Sequence, residues 1–190
     1  TSLMRWAGDL TLAATFRRTS FSILYKLVQP DYMSMGVSYM NNNYHNIGTA
    51  ANFRLGNLSL NGNFSYQEDN ISHDQLYTTR GLNYSANASM PIGNKISLSA
   101  NYKGYRQCQY DGVAQVNDTT RIDRTVNSFS GTASYNTNTE KLGHYFSLTG
   151  NYSINEDNNR TIAGVGDVGT LAVGSSYSLS VVPIVTPVLM

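Results

Sequence analysis

The chain is poor in charged residues, and the two signs nearly cancel. Only 13% of its 190 residues are Asp, Glu, Lys or Arg, and the formal net charge is +1. Typical globular proteins carry roughly 25% charged residues. A protein that binds nucleic acid through the phosphate backbone needs a basic face, and this composition does not supply one. We therefore expect no nucleic-acid partner.

Cysteine, proline and long apolar runs are also scarce. Cys108 is the only cysteine, so an intrachain disulfide is excluded, and the chain has four prolines. No segment approaches the roughly 18 consecutive apolar residues of a membrane-spanning helix, and the mean hydropathy is −0.31. A membrane β-barrel is not excluded, because a strand with one polar and one apolar face has a neutral average.

The N-terminal residues do not have the pattern of a signal peptide. They have neither a basic start nor an apolar centre, and Thr1 is not an initiator residue. We expect a chain that begins inside a larger protein or after processing.

Alternation of apolar and polar residues is the strongest pattern in the sequence. From Leu58 to Tyr66, Leu, Gly, Phe and Tyr occupy the even positions, and Ser or Asn occupies every odd position. A period of two predicts a β-strand with one apolar and one polar face. Gly56 and Asn57 precede this strand and favour the positive φ angles of a tight turn. Residues 47–66 are therefore predicted to form a β-hairpin.

The same alternation recurs along the whole chain and predicts one all-β domain over residues 1–190. We place nine strands at residues 4–17, 21–28, 47–54, 58–66, 81–90, 95–106, 126–137, 143–154 and 169–182. Their connections alternate between short and long, and ten of the twelve acidic residues fall in the long ones. Outer-membrane barrels combine short periplasmic turns with long extracellular loops. The sequence therefore predicts an antiparallel, up-and-down transmembrane β-barrel. Since bacterial single-chain barrels have even strand numbers, we expect these strands to be part of a larger barrel.

The two faces of the predicted strands differ in chemistry. Amides and hydroxyls dominate one face, which suits a crowded, water-filled lumen, whereas aliphatic, small and aromatic residues form the other. We predict that the lumen-lining residues are Lys26, Asn61, Asn63, Ser65, Asn83, Ser85, Asn87, Asn101, Lys103, Ser134, Thr149 and Asn151. We predict that the lipid-facing residues, with an aromatic belt, are Tyr25, Phe64, Tyr66, Tyr84, Tyr102, Phe129, Tyr135, Phe146, Tyr152 and Tyr177.

This pattern predicts a non-enzymatic channel, transporter or secretion conduit in a bacterial outer membrane. The expected partners are outer-membrane lipid, including lipopolysaccharide, and other subunits of an outer-membrane complex. We expect no catalytic residue, cofactor or metal ligand. Two alternatives stay open: a soluble or surface-attached β-sandwich or adhesin, and a barrel-embedded surface hydrolase that uses His45 or His73.

Two acidic stretches in the predicted loops have the chemistry of a hard-cation site. One runs from Glu68 to Asp74 and includes His73, and the other runs from Glu156 to Asp167. Solvated loop charge is the simpler interpretation of both. The three histidines are far apart and lack the ligand spacing of a zinc site.

Other local motifs have simple structural explanations. Gly164, Gly166 and Gly169 have the spacing of a dinucleotide-binding fingerprint, but an alternating strand follows them where that site needs a helix. We interpret them as loop glycines. Repeated Asn-x-Ser/Thr sequences follow from the polar face of the strands, and Cys108 is predicted to be a loop thiol without a role.

The segment from Tyr25 to Gly36 resembles a known strand–loop unit. It reads Tyr-Lys-Leu-Val-Gln-Pro-Asp-Tyr-Met-Ser-Met-Gly and is followed by Tyr39 and by Asn42 and Asn43. It is similar to the pattern Tyr-Lys-x-x-x-Pro-Gly-Tyr-x-Ser-x-Gly, with Asn-Asp afterwards, of large outer-membrane barrels of Bacteroidota. Asp31 stands at the Gly of that pattern and Asn43 at its Asp. The resemblance implies a cell-surface location and identifies no cargo-binding or catalytic residue.

Overall fold

In the part of the chain that the structure describes, nine strands form a single sheet. The structure, a computed structural model, describes residues 5–32, 41–117, 119, 121–138, 142–159 and 166–181. The strands are β1 (Ala7–Phe16), β2 (Thr19–Val28), β3 (Tyr44–Leu55), β4 (Leu58–Asp69), β5 (Tyr77–Ile92), β6 (Ile96–Asp111), β7 (Asp123–Asn138), β8 (Leu142–Asp157) and β9 (Val168–Val181). No helix in these ranges is long and apolar enough to cross a membrane.

The sheet is an antiparallel meander. Each strand pairs with its neighbours in sequence, in the order β1 to β9. This order confirms the predicted all-β class, the nine strands and their up-and-down arrangement. Within the described residues, β1 pairs only with β2 and β9 only with β8, so the sheet is open and has two free edges.

Glycine forms two of the tight turns. Gly56 (φ 60°) connects β3 to β4, and Gly93 (φ 62°) connects β5 to β6. Both φ values are rare for L side chains, which explains the choice of glycine. The first turn lies where the sequence predicts it. The second begins later than predicted, because Pro91 still pairs with Ser97 in the ladder.

The strands extend further toward the long connections than the alternation predicts. β5, β6, β7 and β8 each have 16 residues. Six acidic residues that the sequence predicts in the long connections lie in strand ends instead: Glu68, Asp69, Asp111, Asp123, Glu156 and Asp157. Cys108, also assigned to a loop, lies in β6 and is buried. These boundaries were wrong because the apolar face ends before the backbone ladder does.

The middle of the sheet has no hydrophobic core. Among the described residues, the buried apolar side chains are Val28, Tyr44 and Cys108, all near the long connections. Large apolar side chains along the strands are exposed instead, such as Phe129 at 51% and Leu171 at 72%. A water-soluble domain of this length normally buries such residues in one core. One face of this sheet is therefore left without an apolar partner.

Some of the sequence predictions lie outside the described residues. They concern the outer ends of the first and ninth strands at Met4 and Val182, residues 33–40 of the segment that resembles Bacteroidota barrels, the short connection at residues 139–141, and Gly164 of the glycine motif.

Candidate functional site

A row of amide side chains crosses the polar face. The strand register places the following residues side by side: Ser20, Asn52, Asn61, Asn87, Asn101, Ser130 and Asn151. Asn101 donates a hydrogen bond to Asn87, and Asn52 donates one to the Ser20 hydroxyl at 3.0 Å. Each amide has two donors and an acceptor oxygen with two lone pairs. The row therefore retains positions at which water or a polar solute can bind.

Pairs of hydroxyl groups lie on either side of the amide row. The Ser128 and Ser153 oxygens are 2.9 Å apart, and the Ser97 and Ser134 oxygens are 2.7 Å apart. Cross-strand pairs of this kind each stabilise a sheet by roughly 0.2–1 kcal/mol. They connect neighbouring strands through groups that are uncharged and wettable.

Lys103 brings a positive charge to the middle of the polar face. The register places it between Ser85 of β5 and Ser128 of β7, and its side chain is exposed. Lys26 lies nearer the long connections, where its Nζ is 5.7 Å from the centroid of the Tyr44 ring. The register places all twelve residues of the predicted lumen set on this one face.

The opposite face is apolar and exposed. It contains all ten residues of the predicted lipid-facing set, together with residues such as Leu98 and Leu148. In the described strands, no Asp, Glu, Lys or Arg lies on this face between the tight turns and the row that contains Leu82 and Arg106. Along β5 this apolar band runs from Leu82 to Ile92, or about 33 Å along the strand. In an outer-membrane barrel, where strands tilt by about 35–45°, a strand segment of this length spans the apolar band of about 25 Å.

Asn127 is a polar residue on the apolar face that is in neither predicted set of residues. Its Oδ1 accepts hydrogen bonds from the hydroxyls of Tyr84 at 2.8 Å and Tyr102 at 2.9 Å. These contacts offset the unfavourable placement of an amide on an apolar surface. Its position two residues before Phe129 is the signal that places it on this face.

Tyrosine and histidine contact each other at both ends of the apolar face. The His45 ring lies between Tyr25 and Tyr66, with ring centroids 6.5 and 6.3 Å away. At the other end, His144 Nδ1 is 2.8 Å from the Tyr177 hydroxyl. Aromatic rings with a polar edge are enriched at both interfaces of a membrane. His45, considered above for a hydrolase, is thus part of an aromatic cluster.

A charged cluster lies on the same face, just beyond the apolar band. This rim cluster consists of Glu68, Arg80, Arg106, Tyr110, Arg121 and Asp123. The register aligns Glu68, Arg80 and Asp123 in one row across β4, β5 and β7. Arg80 Nε is 3.1 Å from Glu68 Oε2, and its guanidinium lies 4.4 Å from the centroid of the Tyr110 ring. Arg80 therefore holds the cluster together through an ion pair and a cation–π contact.

The environment of Glu68 favours its charged form. Burial alone raises the pKa of this half-buried carboxyl, but two contacts outweigh that effect. The Tyr66 hydroxyl donates a hydrogen bond to Oε2 at 2.5 Å, and Arg80 forms the ion pair. Together they hold the pKa of Glu68 below its ordinary value. The hydrogen bond that Arg80 Nη2 donates to Glu68 Oε1 at 3.3 Å in turn raises the pKa of Arg80.

Arg106 and Arg121 share one carboxylate. Arg106 Nε is 3.6 Å from Asp123 Oδ1, and Arg121 Nη2 is 3.9 Å from Asp123 Oδ2. Arg121 Nη2 is also 3.3 Å from Cys108 Sγ, whereas the Nε of Arg121 is buried without a hydrogen-bond acceptor. In the rim cluster, three guanidinium groups thus face two carboxylates. A further carboxylate on this face, Glu156, lies two strands from Arg106 in the same row and forms none of the ion pairs of the cluster.

Two buried asparagines order the connection between β4 and β5. Asn43 donates to Ser72 Oγ at 2.8 Å and accepts from the Ser72 N–H at 3.1 Å. Asn70 donates to Thr78 Oγ1 at 3.0 Å and accepts from the Gln75 N–H at 2.9 Å. Their φ angles, 62° and 58°, lie in the left-handed region, which asparagine adopts more readily than most L residues. This long connection is therefore a hydrogen-bonded cap.

Asp31 also has a left-handed backbone, with φ 52°. It stands where the Bacteroidota pattern has Gly, and Asn43 stands where that pattern has Asp. Gly, Asn and Asp are the residues that occupy this backbone region most readily. Asp31 and Asn43 are therefore residue types that suit their left-handed backbones.

The two acidic stretches considered as cation sites form hydrogen bonds within their own segments. Asp74 accepts from the Ser72 hydroxyl, and Asp157 Oδ1 accepts from the Asn159 N–H at 3.0 Å. The Asp157 N–H in turn donates to Asp167 Oδ1 at 2.9 Å. In the part of the chain that the structure describes, no group of three or more His, Cys, Asp and Glu residues could hold a metal ion.

The fold and its surfaces define a class: an open antiparallel β-sheet with one wettable face and one exposed apolar face. No family model, curated protein or solved structure matches the chain. The chemistry of the two faces is therefore the basis for the function proposed below.

Proposed function

We propose that this chain forms part of the wall of a transmembrane β-barrel in a bacterial outer membrane. It acts there without enzymatic chemistry, as a channel, a transporter or a secretion conduit. The observation that carries the proposal is the exposed apolar face, which lies opposite a face of amides and hydroxyls. Lipid covers the first face, and the second lines a water-filled lumen.

The unfavourable free energy of exposing the apolar face to water supports the proposal that lipid covers this face. Burial of apolar surface stabilises a protein by roughly 25 cal/mol per Å². Phe129, Phe146 and Tyr152 are 51%, 45% and 45% exposed on this face. Soluble monomers rarely expose contiguous apolar patches larger than a few hundred Å². A bilayer core removes the whole face from water.

The two free edges of the sheet need partners in a bilayer. Hydrocarbon offers no hydrogen bonds to the unpaired N–H and C=O groups of an edge strand, so spanning sheets close into barrels. In the proposed assembly, further strands of the polypeptide or strands of other subunits pair with β1 and β9. The long connections face the cell exterior, and the rim of the apolar face meets the outer leaflet with its lipopolysaccharide.

Neighbouring residues on opposite faces provide the test. Ser85 and Ala86 of β5 lie on the polar and apolar faces, and Cys108→Ala gives a background without a thiol. We expect a bulky water-soluble thiol reagent to reduce the bilayer conductance of the Ser85→Cys protein and to leave that of the Ala86→Cys protein unchanged. Conversely, brominated lipid should quench a fluorophore attached at residue 86 and spare one attached at residue 85.

A soluble β-sandwich or adhesin gives different results. Its apolar face packs against a second sheet, so the protein would stay folded and monomeric without detergent, and brominated lipid would quench neither fluorophore. Either result overturns the proposal. A separate experiment tests the orientation: protease added to intact cells should cut within residues 111–124 and spare residues 55–58. Cleavage at the tight turns would reverse it.

A further inference from the structure

We propose that the rim cluster binds a phosphate group of an outer-leaflet glycolipid, with Arg106 and Arg121 as the ligands. The inference rests on the proposed function, because it requires lipid on the apolar face and the long connections on the outside. It adds a specific lipid-binding site to a surface that otherwise meets lipid only through apolar contacts.

The position of Arg106 is the first support. It lies in the same transverse row as Leu82, and the apolar residues of β6, including Tyr102, lie between it and the tight turn. Its side chain is 54% exposed. A lipid whose acyl chains lie against Tyr102 therefore presents its headgroup phosphates at the height of Arg106.

The second support is that the three guanidinium groups differ in how closely a carboxylate pairs with them. Arg80 has a close carboxylate partner at 3.1 Å and lies 4.4 Å from the centroid of the Tyr110 ring, whereas Arg121 lies 5.8 Å from that centroid, so the role of Arg80 is to position its neighbours. Arg106 and Arg121 instead share Asp123 at 3.6 and 3.9 Å. The Nε–H of Arg121 lacks an acceptor, and that of Arg80 lies 3.1 Å from Glu68 Oε2 without hydrogen-bond geometry. A phosphate provides several anionic oxygens, which the planar fork of arginine binds in a bidentate manner.

The source of the phosphate follows from the face on which the cluster lies. Arg106 and Arg121 are on the apolar side of the sheet, at the level where lipid headgroups begin. Arg124 is next to Asp123 in the sequence, but it lies on the polar face, where its Nε donates to Asn155 Oδ1 at 2.6 Å. Arg124 therefore serves as a matched control of equal charge at the same end of the sheet.

The test is native mass spectrometry of the detergent-solubilised protein, titrated with lipid A or with the same lipid after removal of its phosphates. We expect the protein to prefer the phosphorylated lipid by about tenfold or more, as charge-assisted hydrogen bonds imply. Arg106→Gln should remove most of this preference, and Arg124→Gln should retain it. Arg121→Gln is the second variant, with the same expected loss, in case Arg106→Gln does not fold.

Several outcomes overturn the inference. They are equal affinity of the unsubstituted protein for the two lipids, an unchanged preference in the folded variants of Arg106 and Arg121, and an equal loss in Arg124→Gln. Competition with inorganic phosphate distinguishes the sources: displacement of lipid A at comparable concentrations would assign the site to free phosphate. A folded, detergent-dependent protein without lipid preference defeats only this inference, whereas a soluble monomer defeats the proposed function as well.

Discussion

The ring of Tyr84 in β5 covers Gly104 in β6. The two residues are directly opposite each other in the register, and a Cβ atom added at Gly104 would overlap the Cε2 and Cζ atoms of the tyrosine. From this position the Tyr84 hydroxyl reaches Asn127 in β7 at 2.8 Å. The absence of a side chain at Gly104 thus lets one tyrosine connect three strands on the apolar face.

Gly104→Ala is expected to destabilise the protein by about 1–3 kcal/mol, because the methyl group displaces the Tyr84 ring and breaks its hydrogen bond to Asn127. Chemical denaturation in lipid vesicles would show the effect as a lower midpoint. Gly150→Ala is the control, since Gly150 lies on the same face in β8 and an added Cβ has no heavy atom within 4 Å. Equal effects at the two positions would contradict the proposed contact. In a Tyr84→Ala background, the effect of Gly104→Ala should disappear.

The sequence predicts the face on which each strand residue lies, but not the side-chain contacts between strands. A period of two assigns each residue of a strand to one of two faces, and the structure has the predicted lumen and lipid sets on opposite faces. Which medium meets each face stays a prediction. The contact of Tyr84 with Asn127 requires the register between separate strands, and alternation within one strand does not contain that information.

The alternation pattern also fails to predict the rim cluster. Arg80 and Asp123 lie beyond the apolar alternation, outside the predicted strands. The backbone ladder continues there without the apolar signal, so the sequence pattern underestimates the strands on that side. Only the continued register brings Arg80 close to Tyr110 and Arg106 close to Asp123.

Glu68 should make stability depend on pH. Its pKa in the folded protein is below the ordinary value, so the stabilisation from its ion pair with Arg80 is fully present above the unfolded pKa, about 4.3. It is lost as the pH falls through the lower, folded pKa. We expect the denaturation midpoint to fall over that acidic range and Glu68→Gln to flatten this part of the profile. The control is Glu156→Gln, since the exposed Glu156 forms none of the ion pairs among the described residues. An equal flattening by both variants would contradict the role of the pair.

The stability of the connection between β4 and β5 should depend on which residue replaces Asn43. Asn43→Gly loses the hydrogen bonds to Ser72 but tolerates φ 62°, whereas Asn43→Ala loses them and adds backbone strain. We expect Ala to be worse than Gly by about 1 kcal/mol. Hydrogen exchange at the Ser72 N–H, which donates to Asn43, should be faster in both variants and fastest in Asn43→Ala. Asn42→Ala is the control and should leave this exchange unchanged. Equal exchange rates in Asn43→Gly and Asn43→Ala would show that the left-handed backbone has no energetic role.

Lys103 should influence ion selectivity if the polar face lines an aqueous lumen. It places a positive charge between Ser85 and Ser128, and no carboxylate lies opposite it on the two adjacent strands. Anions are therefore expected to pass more readily than cations. Lys103→Glu reverses the sign of this charge and should move the reversal potential in a salt gradient toward cation selectivity. Lys95→Glu makes the same change of charge at the tight turn before β6, about 26 Å away along the strand and beyond the screening length of about 8–10 Å. Its shift should be much smaller, and equal shifts for the two variants would show that Lys103 does not line the conducting path.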